Sequence, residues 1–265
     1  MGSSNYLEKN RDSWNRKVDL HVSSDFYKMP EFLSGQTSLN SIELNLLGDI
    51  KGKSILHLQC HFGQDTLSLA RMGAICTGID FSEDAISKAK EINHKLRLNA
   101  TFICSDVYAT RDVLNEQFDV VFTSYGTIGW LPDCNLWAKV ISESLKPGGR
   151  FIMADFHPLV WMMDEDFKFF KYGYFNRGAI ETEYSGTYAN QDSERIFKET
   201  SWNHSLSDLT MSLIRHGLKL NQFQEFDYSP YPCFKHLLEV EPGKFQIKGL
   251  EQKIPMVYAF ELIKE

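Results

Sequence analysis

Short apolar runs alternate with amphipathic stretches from residue 54 onward. Residues 54–60, 74–80, 100–106, 118–124 and 150–155 are apolar runs of strand length. Between them, residues 65–71 carry Leu67, Leu69 and Ala70 and end at Gly73, which predicts a short helix. Ser82, followed by Glu83 and Asp84, predicts a capped helix through Ile92. Residues 136–145 predict another helix, stopped by Pro147-Gly148-Gly149. Strands alternating with helices at this spacing predict a parallel sheet covered on both faces. The right-handed crossover rule puts the loops that follow the strands along one edge. The residues after Cys60, Asp80, Asp106, Ser124 and Asp155 should therefore share one crevice.

The rhythm breaks across residues 156–202 and then returns. Ser205-x-x-Asp208 predicts a capped helix to His216, with Gly217 past its end. Residues 218–227 and 256–263 read as strands joined by a loop punctuated by Pro230, Pro232, Pro242 and Pro255. Two strands joined without a helix predict an antiparallel pair at one sheet edge. The first 50 residues, spotted with Tyr6, Trp14, Phe26, Tyr27 and Phe32, read as helical or irregular structure ahead of the core. The expected organisation is an N-terminal cap over residues 1–50 and a main domain over 51–265, with 156–202 as an insert.

Composition narrows the class without naming a function. With 43% hydrophobic and 24% charged residues, the 265-residue chain is an ordinary globular protein. No apolar run reaches the ~18 residues of a membrane span. A net charge of −7 without basic runs argues against nucleic acid as a partner. The five cysteines are odd in number and lack C-x-x-C spacing, so free thiols are expected. Residues 1–9 are polar, and no secretory signal is read there. The expectation is a cytoplasmic monomer or homodimer.

The order of five strand–helix units followed by helix, strand, loop, strand resembles the class I S-adenosylmethionine-dependent methyltransferases. Their first-strand loop commonly reads D/E-x-G-x-G-x-G; the aligned stretch here runs from His57 through Leu58, Gln59, Cys60, His61 and Phe62 to Gly63. Gly63 is kept, and His57 stands where the acid would be. The L-H-L-Q-C-H-F-G form resembles a bacterial branch of that family with unassigned substrates. Leu145-Lys-Pro-Gly-Gly-Arg-Phe151 resembles the family's L-x-P-G-G segment before its fifth strand.

The resemblance implies a Rossmann-like α/β fold: a doubly wound, mostly parallel seven-stranded sheet with an antiparallel final pair. It implies S-adenosylmethionine as cofactor, S-adenosylhomocysteine as product and a small-molecule methyl acceptor. Gln59, Cys60, His61 and Gly63 would meet the methionine end. Asp80, with Phe81 and Ser82 beside it, would accept from the ribose hydroxyls. Ser105, Asp106 and Val107 would meet the adenine, and Ser124 and Tyr125 would lie near the reacting end.

The departures from the pattern carry expectations of their own. Gln59 and His61 bear side chains, so the loop should hold a cofactor only where φ stays negative. His57 cannot serve as counter-ion for the cofactor's ammonium; either other groups do, or affinity is low. His57, Cys60 and His61 also invite a zinc reading, but no fourth ligand lies nearby and no metal is expected.

In the family, transfer is an in-line displacement at an activated sulfonium carbon, served by positioning and desolvation. An acidic acceptor also needs a base. His157, just after the fifth strand, and His204, in Trp202-Asn203-His204-Ser205, are the candidates, with Tyr125 to position the acceptor. A structural role is the competing reading for each histidine. Twelve of the 47 residues 156–202 are Phe, Trp or Tyr, against 13% in the whole chain. That density predicts a substrate lid, with a secondary core or dimer contact as the alternative. Trp14, Phe26 and Tyr27 would close over the cofactor or cover the sheet edge. Two other functions compete: a non-catalytic member of the fold, and a nicotinamide-dependent oxidoreductase. The latter lacks its G-x-G-x-x-G turn.

Overall fold

The computed structural model describes residues 5–265; residues 1–4, with the Gly2-Ser3-Ser4 opening, lie outside the described residues. Three helices come first: α1 (Asn5–Val22), α2 (Met29–Leu33) and α3 (Ser41–Leu47). The alternating part follows as β1 (Ser54–Leu58), α4 (Gln64–Arg71), β2 (Ile75–Asp80), α5 (Glu83–Leu96), β3 (Thr101–Cys104), α6 (Thr110–Val113), β4 (Phe118–Ser124), α7 (Cys134–Ser144) and β5 (Leu145–Phe156). The remainder is β6 (Ile180–Ser185), β7 (Ile196–Ser201), α8 (Leu206–Arg215), β8 (Leu218–Phe226), β9 (Leu237–Glu241), β10 (Lys244–Ile247) and β11 (Val257–Lys264).

Seven strands form one sheet in the order β3-β2-β1-β4-β5-β11-β8. The first five are parallel, and β11 runs antiparallel between β5 and β8. The sheet is buried on both faces except at the edge strand β8, where residues 219–225 are exposed. One core layer joins Ile55, Phe122 and Ile152 to Leu47 of α3, Leu67 of α4 and Ile86 of α5. The other joins Leu56, Val121 and Phe151 to Trp137 of α7 and Leu213 of α8. Alternate residues of β1 thus serve opposite layers, as the period of two requires. The chain leaves β1 toward β2 on one side and returns to β4 on the other. The β1–β4 junction is therefore the switch point, where the loops diverge and leave a crevice.

Several boundaries differ from the expectation for local reasons. α5 continues past Ile92 to Leu96, where Arg97 turns left-handed (φ 53°) in place of a glycine. β3 ends at Cys104, so Ser105 and Asp106 lie in the loop. α7 opens at Cys134 because the Asp133 carboxylate accepts from the Asn135 and Leu136 amides. The Pro147-Gly148-Gly149 stretch lies inside β5 and offsets its pairing, from Phe118 with Leu145 to Val120 with Arg150. The proline-rich loop holds the hairpin β9–β10, and the 156–202 insert holds the hairpin β6–β7.

The cap and the insert form one cover. Asn10 of α1 reads the β7 backbone like a missing strand residue: its Nδ2 donates to the Thr200 carbonyl (2.8 Å) and its Oδ1 accepts from the Thr200 amide (2.9 Å). Ser13 donates to Glu199 (2.7 Å), and Lys17 forms a buried ion pair with the same carboxylate. The insert's aromatics divide accordingly. Phe197 and Trp202 are buried beside α1, while Phe169, Phe170 and Phe175 face solvent. The density of aromatics thus marks a cover in part only.

Candidate active site

The loop after β1 enters the crevice through an unusual backbone. Gln59 (φ 58°) and His61 (φ 50°) are both left-handed, contrary to the expectation that their side chains would keep φ negative. Such residues cost about 1 kcal/mol each and persist where their surroundings fix them. The surroundings do so here. Gln59 Nε2 donates to the Thr127 carbonyl (2.9 Å), the His61 amide donates to Asp80 Oδ2 (2.8 Å), and His61 Nε2 meets His21 Nδ1 of α1 at 3.0 Å. Gly63 (φ 80°) has a steric reason as well: a Cβ would lie 2.7 Å from the Phe102 ring.

Asp80 ends β2 buried, accepting from the His61 amide and, through Oδ1, from the Ser82 amide at 2.9 Å. Burial pushes its carboxyl up to about 6, against the backbone donors that pull it down. Each oxygen retains acceptor capacity. The Ser82 hydroxyl accepts from the Ala85 amide (3.1 Å) and donates its proton to Asn15 of α1 (2.6 Å). Phe81, partly exposed, contributes its carbonyl to the Cys104 thiol. Ser105 donates to the Asp106 carbonyl, the Asp106 carboxylate accepts from the Tyr108 amide, and Val107 is buried beneath. The Cys60 thiol is buried and pushed well up by its surroundings, chiefly desolvation.

Two acids missed in the sequence stand at the β1–β4 junction. Asp65, in the first turn of α4, accepts from Ser124 at the end of β4 (2.9 Å) and from Ser38 (2.6 Å). Glu43 of α3 is wholly buried and accepts from the Asn40 amide and from the Tyr125 hydroxyl (2.8 Å). Burial raises it to about 7. In sequence Asp65 is legible only as a helix-start acid, and Glu43 as part of an amphipathic helix.

The Tyr125 ring lies 5.0 Å from that of Tyr231. The Tyr27 and Tyr188 hydroxyls meet at 2.5 Å, bringing the segment before α2 to the β6–β7 tip. Trp14 of α1 closes the roof, edge-on to His61 (5.2 Å) and Trp130 (5.5 Å).

The two candidate bases lie outside this arrangement. His157 is buried with Nε2 on Glu225 of β8 (3.0 Å) and Nδ1 accepting from the Leu159 amide (3.1 Å). Nε2 serves the β8 side of the sheet and Nδ1 its own following loop, and desolvation lowers the imidazole against the pull of Glu225. His204 is buried with Nε2 at 2.6 Å from the Leu131 carbonyl, at the cleft of about 390 Å³ between α7 and α8. Asp155, after β5, accepts from the Gly126, Thr127, Ile128 and Phe156 amides and shapes the loop after β4. His57 is also inward: Nδ1 meets the Thr66 hydroxyl (2.8 Å), and burial takes it down to about 4. Among the described residues no group of three or more His, Cys, Asp or Glu is arranged for a metal.

The crevice fits a polar ligand. Trp14 Nε1, His21 Nε2, His57 Nε2, Gln59 Oε1 and Arg11 Nε are buried without hydrogen-bond partners. All five belong to α1 or to β1 and its loop, with His57 turned inward; two further orphans, Trp137 Nε1 and Ser144 Oγ, lie on α7. Buried polar atoms are ordinarily paired, so orphans gathered at the switch point mark where a ligand's donors and acceptors belong.

A seven-stranded sheet of order β3-β2-β1-β4-β5-β11-β8 with β11 antiparallel, a tight loop after β1 and an acid ending β2 fit the architecture of S-adenosylmethionine-dependent methyltransferases. The sequence profile of the family described as "Methyltransferase domain" matches residues 49–204, and the chain belongs to that family. It is 28% identical over 201 residues to the ubiquinone biosynthesis O-methyltransferase of Coxiella burnetii, covering 71% of this chain and 79% of that protein. Among solved structures it resembles an S-adenosylmethionine-dependent methyltransferase from Mesorhizobium loti, with TM-score 0.57, 16% identity and coverage of 88% and 100%. It also resembles the magnesium protoporphyrin IX methyltransferase of Synechocystis with bound S-adenosylhomocysteine, with TM-score 0.56, 13% identity and coverage of 98% and 100%.

Proposed function

We propose that the crevice binds S-adenosylmethionine over β1 and β2 and a planar, hydroxyl-bearing acceptor beside β4. The observation that carries this reading is the set of orphaned polar atoms beneath a closed aromatic roof. Asp80 holds the ribose hydroxyls, the Gln59–Gly63 loop meets the methionine end, and Asp106 and Val107 border the adenine. When bound, the cofactor supplies an electrophilic methyl group on a sulfonium. The chain's own contribution is orientation and exclusion of water. Tyr27, Tyr125, Tyr188 and Tyr231 form walls suited to a flat ring. Glu43 acts as a positioning residue, holding the Tyr125 phenol. With both His157 ring nitrogens engaged and His204 Nε2 held on the Leu131 carbonyl beside the α7–α8 cleft, neither serves as the base in this reading.

The acceptor is a small molecule, and the net charge of −7 disfavours nucleic acid. The Coxiella relative's name makes a phenolic hydroxyl the first acceptor group to test. Five free cysteines accord with a cytoplasmic setting, as monomer or homodimer. No helix of the described residues is long and apolar enough to cross a membrane.

Calorimetric titration with S-adenosylmethionine and S-adenosylhomocysteine, with NAD as control, tests the cofactor site. Micromolar binding of the first two and none of NAD is expected; absence of both would remove the reading. A panel of catechols, phenols and aromatic amines, followed by release of S-adenosylhomocysteine, tests the acceptor. Turnover of amines alone would overturn the hydroxyl assignment.

A further inference from the structure

The first strand of this chain ends without the acid that its family resemblance leads one to expect. The residue there, His57, is 2% exposed, points inward to Thr66 and carries no charge at neutral pH. A cofactor with a methionine ammonium still needs an anion at the β1–β4 junction, because a buried ammonium without one is costly.

Three carboxylates are within reach of that junction. Asp155 is filled by its own loop, accepting from four backbone amides and the Thr127 hydroxyl. Glu43 is wholly enclosed and occupied by Asn40 and Tyr125. Asp65 differs from both. It follows directly on the Gln59–Gly63 loop, it is tied by Ser124 to the end of β4, and it is only partly buried. It accepts two hydroxyl bonds, one per oxygen, where a carboxylate accommodates about four. No cation pairs with it among the described residues. In the same loop Gln59 Oε1 is buried and unpartnered, an acceptor of the kind an ammonium donor would fill.

We propose that Asp65, with Gln59 Oε1 of the preceding loop as a further acceptor, is the counter-charge for the cofactor's methionine ammonium, replacing the acid absent from β1. The ionic partner has moved from the strand end to the first turn of the following helix. There Ser38 and Ser124 fix its two oxygens, and each oxygen keeps acceptor capacity. This assignment rests on the cofactor site proposed above.

The test is calorimetry on the full chain with three probes. S-adenosylhomocysteine carries both ammonium and carboxylate, its decarboxylated analogue S-adenosyl-3-thiopropylamine keeps the ammonium alone, and 5′-methylthioadenosine has neither. Asp65→Asn is expected to weaken the first two by about tenfold or more, as for loss of a charge-assisted bond, and to leave methylthioadenosine unchanged. Asp65→Glu is expected to restore part of the difference. An equal loss for all three probes would show that Asp65 only shapes the loop, and no loss for any would place the ammonium elsewhere; either result overturns the proposal. Asp65→Ser, which can still bond Ser38 and Ser124, provides the same comparison should Asp65→Asn not fold. Failure of the unaltered protein to bind any adenosyl probe would instead remove the cofactor site itself, a separate outcome.

Discussion

The Lys17 ammonium of α1 and the Glu199 carboxylate of β7 form an ion pair sealed from water, their side chains 2% and 1% exposed. Trp14, Trp130, Tyr184 and Phe197 surround the ammonium with aromatic faces 4.6 to 5.7 Å away. The Tyr184 hydroxyl accepts from Lys17 (2.9 Å) and donates to Glu199. Such a pair adds little over apolar packing but is costly to break on one side. It fixes which face of α1 turns toward the crevice.

Lys17→Met is therefore expected to destabilise the protein by about 3 kcal/mol, because Glu199 is left buried and unpaired. The double variant Lys17→Met/Glu199→Leu should recover most of that loss. Urea unfolding of the four proteins checks this, and strict additivity of the two single changes would sink the idea.

Asp80 gives cofactor affinity a pH dependence. Its folded carboxyl titrates near 6 because burial outweighs its backbone donors, against an ordinary 3.8. The raised value means that the unliganded fold takes up this proton before the unfolded chain does. As an acceptor for two hydroxyls the group must be ionised. Affinity for S-adenosylhomocysteine should thus fall as pH drops through about 6. Asp80→Asn should abolish that dependence, and Asp80→Ala should cost more than about 1.5 kcal/mol of binding at neutral pH. A flat profile from pH 5 to 8 in the unaltered protein would count against the ribose assignment.

Gly63→Ala combines a strained φ with a steric clash. The left-handed conformation costs about 1 kcal/mol and intrusion into a packed core about 1–3 kcal/mol. The added methyl would sit 2.7 Å from the Phe102 ring. A loss of about 2–4 kcal/mol is expected in thermal or urea unfolding. Phe102→Leu in the same chain should relieve part of it, and no relief would assign the whole effect to φ.

Entry to the crevice requires α1 to move, since Trp14 and His21 roof it. Asn10→Ala removes both side-chain bonds to Thr200 and leaves the backbone of β7 unpaired there. Dissociation of S-adenosylhomocysteine is expected to quicken by about tenfold, the order for two hydrogen bonds. Hydrogen exchange should rise across α1 and β7 together. Exchange rising in α1 alone would mean that the cap and the hairpin are separate units.

Much of the fold was legible because its causes are local. Short apolar runs marked five parallel strands, and the predicted caps proved real: Ser82 accepts from the Ala85 amide and Ser205 from the Asp208 amide. The late strand pair without a helix became β8 and β11. The place of Asp80 at the end of β2 was legible because a strand's end at that edge is predictable. The two histidines were read as catalytic from position along the chain, and position does not say which way an imidazole points.

What only the tertiary structure decided depends on residues far apart in sequence. The left-handed Gln59 and His61 are held by Thr127, Asp80 and His21, so no local propensity could foretell them. The acids at the crevice, Asp65 and Glu43, acquire their setting from Ser124 and Tyr125, brought beside them by the crossover between β1 and β4. The cap and the insert, separate in sequence, became one cover through Asn10, Ser13 and Lys17. The sequence by itself determined the sheet, its order of elements and the edge its loops share, because apolar runs and capping act over a few residues. The fold decided which side chains face the ligand, because burial and hydrogen-bond partnership are properties of the packed whole.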